Sequence, residues 1–417
     1  MFQKKVLAVA VAGALGAGAA GIVSAQTTYG GVTISGRLYP EFAVQKTTGA
    51  TAAGASSSTL GRAPTGVDLR SRNSVDASNS RIRFSGREKL GSGLTALWRI
   101  ETTVALDNPE VDGSPYANRD SYVGLRGSFG TVRLGNLTTV FKDLGDPLGI
   151  LGVSSGNFVA LSNITSSRVS FSRNSAGSFH LRKSNSVRYD TPRFSGLQLS
   201  VAYSPDEVKD GSLDADLWSM GAEYKRGPWE FGLAHEIHND YFAGSNGLNT
   251  NGGAARALAN ARDGSDGVHS KDTGTRATVV YRVGGTALQA NYGVVEFDES
   301  GAPAGKFENY DNKRWSVTWQ QKWKGTPWRT TLAYGNSSAG SCSIAGGVAC
   351  TTKGLDGNMI VLATDYSFSK RTALFAAYAR INNGEAALYR NLQNASSSSL
   401  APGADIVPWA AGIRHNF

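Results

Sequence analysis

The sequence predicts an all-β protein, a closed antiparallel up-and-down transmembrane β-barrel of about sixteen strands. Three observations support this fold class. Apolar and polar residues alternate with a period of two from about residue 31 to residue 417, and short and long connections take turns along the chain. After the first 25 residues no apolar window is long enough for a membrane-spanning helix. The 51 glycines and 12 prolines among 417 residues suit extended segments joined by flexible loops.

The first 25 residues predict a cleaved secretory signal peptide that is not part of the fold. Lys4 and Lys5 precede an apolar run over 6–23, and the segment ends in small residues at Ala25, which is the order typical of such signals. The alternative is a membrane anchor, but the run is mostly Ala and Gly and barely long enough to span. Cleavage after Ala25 would leave residues 26–417 as the barrel.

The alternation of side chains is clearest in three runs. In residues 197–204 the apolar or aromatic residues share one face of a strand, and the polar or small residues share the other. Residues 218–225 and 314–320 repeat this pattern. A soluble β-sandwich would alternate in the same way, so the period alone does not place the chain in a membrane.

The lengths of the connections favour a membrane barrel over a sandwich. Tight turns are predicted at 90–93, 127–130, 226–228, 283–285, 324–327 and 368–371, and long polar loops near 45–78, 138–183, 239–271, 298–310, 337–355 and 383–405. In a meander this alternation puts the short turns at the periplasmic rim and the long loops at the external rim. The first and last strands must then pair, because an open sheet edge cannot be satisfied in hydrocarbon.

Aromatic residues near strand ends suit the two membrane interfaces, although in a soluble protein they would be core residues. Examples are Trp229, Tyr281, Trp323, Trp328, Tyr366 and Trp409.

Charge and cysteine content narrow the function classes. The net charge of +9 becomes +7 once Lys4 and Lys5 are removed with a segment that holds no acidic residue. Export makes nucleic acid a poor partner, and the basic residues are scattered singly along strands. Cys342 and Cys350 predict a small loop disulfide and offer no metal-ligand set. We expect no metal and no cofactor.

Four segments carry a family resemblance. They read NSRIRFSGREKLGSGLTALWRIE at 79–101, RDSYVGLRGSFGTVRLGN at 119–136, NSVRYDTP at 185–192 and GIRHNF at 412–417. These segments resemble the general porins of Gram-negative bacteria, especially the subgroup typical of β-proteobacteria. The first three are similar to hairpins on either side of that family's inward-folded third loop. The last is similar to the terminal strand, with Phe417 at its end, that the family's barrel-assembly machinery reads.

The resemblance implies a multi-pass outer-membrane barrel, usually a homotrimer, surrounded by lipid and lipopolysaccharide. Its third loop, about 138–183 in this chain, is implied to fold into the lumen as a constriction loop. The implied activity is diffusion of small hydrophilic solutes and ions, without catalysis.

Several arginines are candidates for the pore wall. Arg81 and Arg83 are opposite in phase to Ile82 and Phe84, and Arg133 and Arg188 each stand between two apolar or aromatic residues, so all four face the lumen if the apolar parity faces lipid. The opposite orientation would cost about 2–4 kcal/mol per charge at the membrane centre. Each arginine could instead be a wall charge paired with a neighbour such as Glu101.

The resemblance carries the family's basic constriction positions onto Arg37, Arg81, Arg119 and Arg188. It also implies acidic residues on the third loop, for which Asp143 and Asp146 are the candidates. Because arginines outnumber acids on the predicted inner rows, we hypothesise a preference for anions.

Two other functions remain open at this point. A barrel enzyme would need a catalytic constellation that is not evident among five histidines, and a substrate-specific channel would need a dedicated solute site. His235 and His238 are spaced so that a strand sends them to opposite faces, which argues against metal binding.

Overall fold

The computed structural model describes ten parts of the chain, which are residues 31–55, 58–107, 116–166, 171, 178–205, 207, 213–249, 251–262, 265–390 and 400–417. The predicted signal peptide, residues 1–25, lies outside them. No helix in the described ranges is long and apolar enough to cross a membrane.

Nineteen β-strands form a single antiparallel sheet within the described residues. Their bounds are β1 Thr33–Leu38, β2 Glu41–Thr48, β3 Arg72–Asp76, β4 Arg81–Gly91, β5 Leu94–Thr103, β6 Ser121–Gly127, β7 Gly130–Thr138, β8 Arg182–Asp190, β9 Leu197–Pro205, β10 Asp216–Arg226, β11 Trp229–Asn239, β12 His269–Val283, β13 Thr286–Ser300, β14 Phe307–Lys322, β15 Trp328–Ser337, β16 Ser341–Ile344, β17 Gly357–Ser367, β18 Thr372–Asn383 and β19 Asp405–Asn416.

Three pairs of consecutive strands lie end to end, so the described chain forms a barrel of sixteen strands. β1 and β2 form one barrel strand, because both pair with β19. On the other side β4 pairs with β1 and β3 pairs with β2, so β3 and β4 form the next barrel strand. β15 and β16 form another, because both pair with β14. Pro40 separates β1 from β2, and its carbonyl still accepts a hydrogen bond from the Ile413 amide at 3.1 Å. The predicted fold class is confirmed.

The last strand closes the ring onto the first. The Gly36 amide donates to the Phe417 carbonyl at 2.9 Å, and the Phe417 amide donates back to Gly36 at 3.2 Å. An added Cβ on Gly36 would lie 2.5 Å from the Phe417 ring, so only glycine admits the terminal ring here. This closure pairs the two edges of the sheet, which is necessary because the lipid hydrocarbon offers no hydrogen-bond partners to backbone groups.

The outer face carries the apolar parity of the strands. Leu199 and Val317 are 48% and 46% exposed, whereas Arg188 and Glu101 on the opposite parity are 6% and 2% exposed. Water inside and lipid outside explain why a period of two persists through every strand.

Connections alternate between short and long, with several differences from the predicted boundaries. Two predicted loops contain a short strand, because 45–78 includes β3 and 337–355 includes β16. β13 and β14 extend through most of the predicted loop 298–310, so that only residues 301–306 connect them. The ends of β13 and β14 extend beyond the hydrocarbon, where the residues on the outer face are also polar. In the sequence such a polar strand end resembles a loop. The connections over 104–120 and 206–215 are also long and were not among the predicted loops.

The third loop connects β7 to β8 over 139–181, and its described residues, 139–166, 171 and 178–181, fold into the barrel. The described parts of the chain also contain four short helices, which are α1 Val140–Gly145, α2 Ser162–Thr165, α3 Ala243–Asn249 and α4 Gly253–Ala257. The first two belong to the third loop. The hydroxyl oxygen of Thr139 caps α1 by accepting from the Lys142 amide at 3.4 Å.

Candidate pore constriction

The third loop is hydrogen-bonded across one half of the barrel wall. The Phe141 amide donates to Ser219 on β10 at 3.0 Å, and the Leu148 amide donates to Gln289 on β13 at 3.0 Å. Gln320 on β14 donates to the Leu148 carbonyl at 2.7 Å. These bonds hold the start of the loop against β10–β14.

The middle of the loop packs against an apolar inner wall. Phe158 and Ile164 are fully buried among inward side chains of β15 and β17–β19, including Met359, Val361 and Phe375. β17 is apolar on both faces, because its outward side chains meet lipid and its inward ones meet this loop. The loop therefore fills the side of the lumen away from β4–β8.

The wall that the loop leaves open is formed by β1 and β4–β8 and is rich in arginine. The structure places Arg81, Arg83, Arg119 and Arg133 here with 23%, 31%, 22% and 21% of their side chains exposed. This exposure inside a closed barrel means contact with water in the lumen.

Glu101 on β5 joins three of these arginines. Its carboxylate lies 2.6 Å from Arg83, 2.7 Å from Arg119 and 3.7 Å from Arg81, and its side chain is 2% exposed. One carboxylate thus orients three guanidiniums toward the lumen and neutralises only one of them.

Arg188 on β8 forms a second cluster. Its guanidinium binds Asp190 at 3.0 Å and the Thr138 carbonyl at 2.9 Å, and it also pairs with Asp143 of α1. Arg133 pairs with Asp190 from the neighbouring strand. This cluster fixes the point where the third loop leaves the wall.

Arg37 contacts the far part of the loop. It donates to the Gly152 carbonyl at 2.6 Å and to Asn416 at 3.1 Å, while Arg414 on β19 donates to the Leu151 carbonyl at 2.8 Å. Arginines from the first and last strands therefore hold the residues 151–152.

The two acidic residues of α1 and its C-cap have different environments. Asp143 faces the arginine wall, and 42% of its side chain is exposed to the lumen. Asp146 does not face this wall. It lies beside Arg276 and Gln289 on the opposite side, because the helix ends at Gly145 and Asp146 has non-helical dihedrals. Burial raises the pKa of the Asp146 carboxyl to about 7, although Arg276 opposes the shift.

Lys142 is a loop cation that the sequence analysis did not select. Its ammonium donates to Ser155 at 2.7 Å. Burial lowers the pKa of Lys142 to about 7, and the nearby Arg182 and Arg119 add to the effect.

Other site residues were also missed. Arg182 pairs with Asp120 at 2.9 Å, and Arg99 lies over the Tyr122 ring at 5.5 Å. Glu101 entered the sequence analysis only as one neighbour, not as the centre of a network. Strand parity alone could have found Arg99 and Glu101, since they share the inward phase of β5.

The described part of the wall carries excess positive charge. Six arginines, Arg81, Arg83, Arg119, Arg133, Arg182 and Arg188, share the four carboxylates of Glu101, Asp120, Asp143 and Asp190. Arg37 and Arg99 add two guanidiniums with no carboxylate at salt-bridge distance among the described residues.

The remaining predicted sites lie outside this wall. Cys342 on β16 and Cys350 in the connection from β16 to β17 are joined by a disulfide with a Cα–Cα distance of 5.8 Å. His235 points outward and His238 is buried against Glu236 at 3.0 Å. The described residues contain no group of three or more His, Cys, Asp or Glu that could hold a metal ion.

A closed sixteen-strand barrel whose third loop narrows a charged, water-filled lumen is the architecture of an outer-membrane diffusion channel. The family comparison agrees, because the model described as Gram-negative porin matches residues 7–386. This chain belongs to the Gram-negative porin family. It is a multi-pass general diffusion porin of the outer membrane.

Relatives and solved structures show the same family and fold. The chain is 27% identical over 356 residues to the major outer membrane protein P.IB of Neisseria lactamica, covering 81% of this chain and 83% of that protein. The corresponding protein of a Neisseria meningitidis serogroup A strain is 28% identical over 230 residues, 51% of this chain and 64% of that one.

Among solved structures, the anion-selective porin from Comamonas acidovorans matches with a TM-score of 0.66 and 20% identity, covering 93% of this chain and 99% of that one. The outer-membrane protein OmpT of Vibrio cholerae matches with a TM-score of 0.56 and 12% identity, covering 93% and 97%. These likenesses concern the fold.

Proposed function

We propose that this porin passes small hydrophilic solutes with a preference for anions. The observation that carries the proposal is the open wall of β1 and β4–β8, around which lie eight guanidiniums and only four carboxylates. A net positive wall in a narrow lumen raises the local concentration of anions and lowers that of cations. The Comamonas acidovorans porin with the same fold is anion-selective, which supports the proposal.

The basic constriction residues have distinct roles in this proposal. The positive field in the lumen comes mainly from Arg81, Arg83 and Arg119. Glu101 holds these three side chains in place. Arg188 and Arg37 combine charge with attachment of the third loop, and Arg133 adds charge beside Arg188 through their shared partner Asp190. Asp143 supplies the opposing charge, and Asp146 contributes mainly to holding the loop on the opposite wall.

The surroundings of the barrel complete the proposal. Residues 1–25 direct export and are removed, and the strand ending in Phe417 is read by the barrel-assembly machinery. The mature barrels form a homotrimer in lipid and lipopolysaccharide. The exposed outer aromatics, such as Trp229 at 44% and Trp328 at 45%, suit the membrane interfaces. No bond is broken in this activity, so we propose no enzymatic role.

Purified protein in a planar bilayer tests the selectivity. We expect the double variant R81Q/R83Q to lose about half of the anion preference, because it removes two of the four guanidiniums in excess of carboxylates and leaves Glu101 with Arg119. The variant K313Q is a matched control, since Lys313 is exposed on the outer face of β14. Equal selectivity of R81Q/R83Q and the unaltered channel would contradict the assignment of these residues.

Liposome swelling tests the diffusion mechanism. Rates that fall smoothly with solute size and rise in proportion to concentration are expected for neutral sugars. Saturation with one sugar and exclusion of others of equal size would instead indicate a substrate-specific channel.

A further inference from the structure

Two arginines approach one tyrosine ring beyond the Glu101 cluster. The guanidinium carbons of Arg99 and Arg133 lie 5.5 Å and 5.4 Å from the centre of the Tyr122 ring. Arg99 is directly opposite Tyr122 in the β5–β6 register, and Arg133 is opposite Gly124, so all three side chains leave the same face. The group lies two residues, about 7 Å, from Glu101 toward the short turns.

These two guanidiniums have unused hydrogen-bonding groups. Arg99 has no protein acceptor among the described residues, and only its Nε is buried without a partner. Its terminal nitrogens are therefore accessible from the lumen. Arg133 gives one terminal nitrogen to Asp190, and its other terminal nitrogen is likewise neither buried nor bonded. By contrast, the Nε groups of Arg83 and Arg119 both donate to Glu101 at 2.7 Å.

The local sequence makes room for this arrangement. An added Cβ on Gly124 would lie 2.4 Å from the Val132 carbonyl and 3.0 Å from Cγ of Arg133, so glycine lets the Arg133 stem cross the strand toward the ring. The face of an aromatic ring attracts a guanidinium and fixes its orientation. The N–H groups at the edge of the guanidinium then remain available to a ligand. The tyrosine thus orients two cations without neutralising either.

We propose that Arg99, Tyr122 and Arg133 form a binding subsite for oxyanions, the carboxylate or phosphate groups of small solutes. An oxyanion presents two oxygens to the paired N–H groups of a guanidinium, which a halide cannot do. The subsite would retain such solutes briefly after they pass the constriction. This proposal rests on the proposed anion preference and adds selectivity for oxyanions over halides.

The test is single-channel conductance of the full protein as a function of salt concentration. With potassium chloride we expect conductance to rise in proportion, and with potassium phosphate or potassium succinate to saturate. R99Q should raise the salt concentration at half-saturation by about tenfold, because it removes one charge-assisted hydrogen bond to the oxyanion. R126Q removes the same charge from the wall of the same cavity, four residues along β6 from Tyr122, where Arg126 donates to Thr131 instead of approaching the ring, and should keep the saturation.

The phosphate and succinate arms show which oxyanion the subsite takes, and saturation in either supports it. The subsite would be overturned if conductance rose in strict proportion to the concentration of both salts. If the same channel preferred chloride to potassium, the anion preference would remain intact. An equal effect of R99Q and R126Q would also overturn the subsite, because charge alone would then explain the result. A channel that prefers potassium would contradict the anion preference itself. Heat-modifiable migration on gels confirms that each variant is folded.

Discussion

Arg188 on β8 pairs with Asp143 on the first helix of the third loop, while the same guanidinium binds the Thr138 carbonyl at 2.9 Å where β7 ends. One side chain thus joins the end of one barrel strand, the next barrel strand and the start of the loop between them. The position of the constriction depends on this contact as well as on apolar packing.

Replacing Asp143 with Asn should loosen the start of the third loop. The ion pair is partly exposed, so its loss is worth about 1 kcal/mol and raises the population of displaced loops roughly fivefold. We expect larger and noisier single-channel currents. D107N is the control, because Asp107 is exposed in the long connection after β5, and D143N currents identical to those of the unaltered channel would refute the role of the Arg188–Asp143 pair.

Replacing Glu101 with Gln should strengthen the anion preference. The change leaves Arg81, Arg83 and Arg119 without their shared carboxylate and adds one positive charge to the wall. A unit charge about 7 Å from a passing ion in water changes the energy of each ion by about 0.6 kcal/mol with opposite sign, so the chloride-to-potassium permeability ratio changes by up to about sevenfold before screening by salt. Zero-current potentials in a salt gradient measure this ratio, and a shift toward cations would show that Glu101 does not act through these arginines.

Acidification should increase the anion preference around neutral pH. The pKa of Lys142 is lowered to about 7, so the ammonium is charged below that pH and neutral above it. The pKa of Asp146 is raised to about 7, so its carboxyl is neutral below that pH and anionic above it. Both transitions make the loop more positive as the pH falls.

Zero-current potentials at about pH 6 and about pH 8 check this dependence. Each of the variants K142Q and D146N should remove part of it, since each eliminates one titrating group. Potentials that move toward cation preference on acidification would contradict the proposed sign.

Replacing Phe158 with Ala should release the third loop while the barrel stays folded. Phe158 is fully buried between the loop and the inner wall, and such a truncation costs about 3–5 kcal/mol. Limited proteolysis should then cut within 139–181, with unchanged heat-modifiable migration. F368A is the matched control, because Phe368 lies 63% exposed in a short turn. A protected loop in F158A would show that other contacts suffice.

The fold could be predicted because one rule applies to most strands. Lipid outside and water inside impose the same alternation on them, and strand parity alone puts Arg81 and Arg133 on the lumen side. β17 departs from the rule, because its inner face packs against the third loop. The rule weakens at strand ends, which is why residues 298–310 were taken for a loop although β13 and β14 extend through most of them.

The loop face could not be predicted in the same way. Asp143 and Asp146 are equivalent in sequence, yet the end of α1 at Gly145 turns Asp146 toward Arg276. The convergence of three arginines on Glu101 depends on the register between β4 and β5 and on the loop position of Arg119, which no local pattern reveals.

The zero-current potential of the unaltered channel in a KCl gradient tests the central claim most directly. With eight guanidiniums and four carboxylates around the opening, we expect the sign that chloride permeation gives, with a magnitude that decreases as ionic strength screens the wall. A potential of the opposite sign, showing that potassium permeates more readily than chloride, would contradict an arginine-controlled pore.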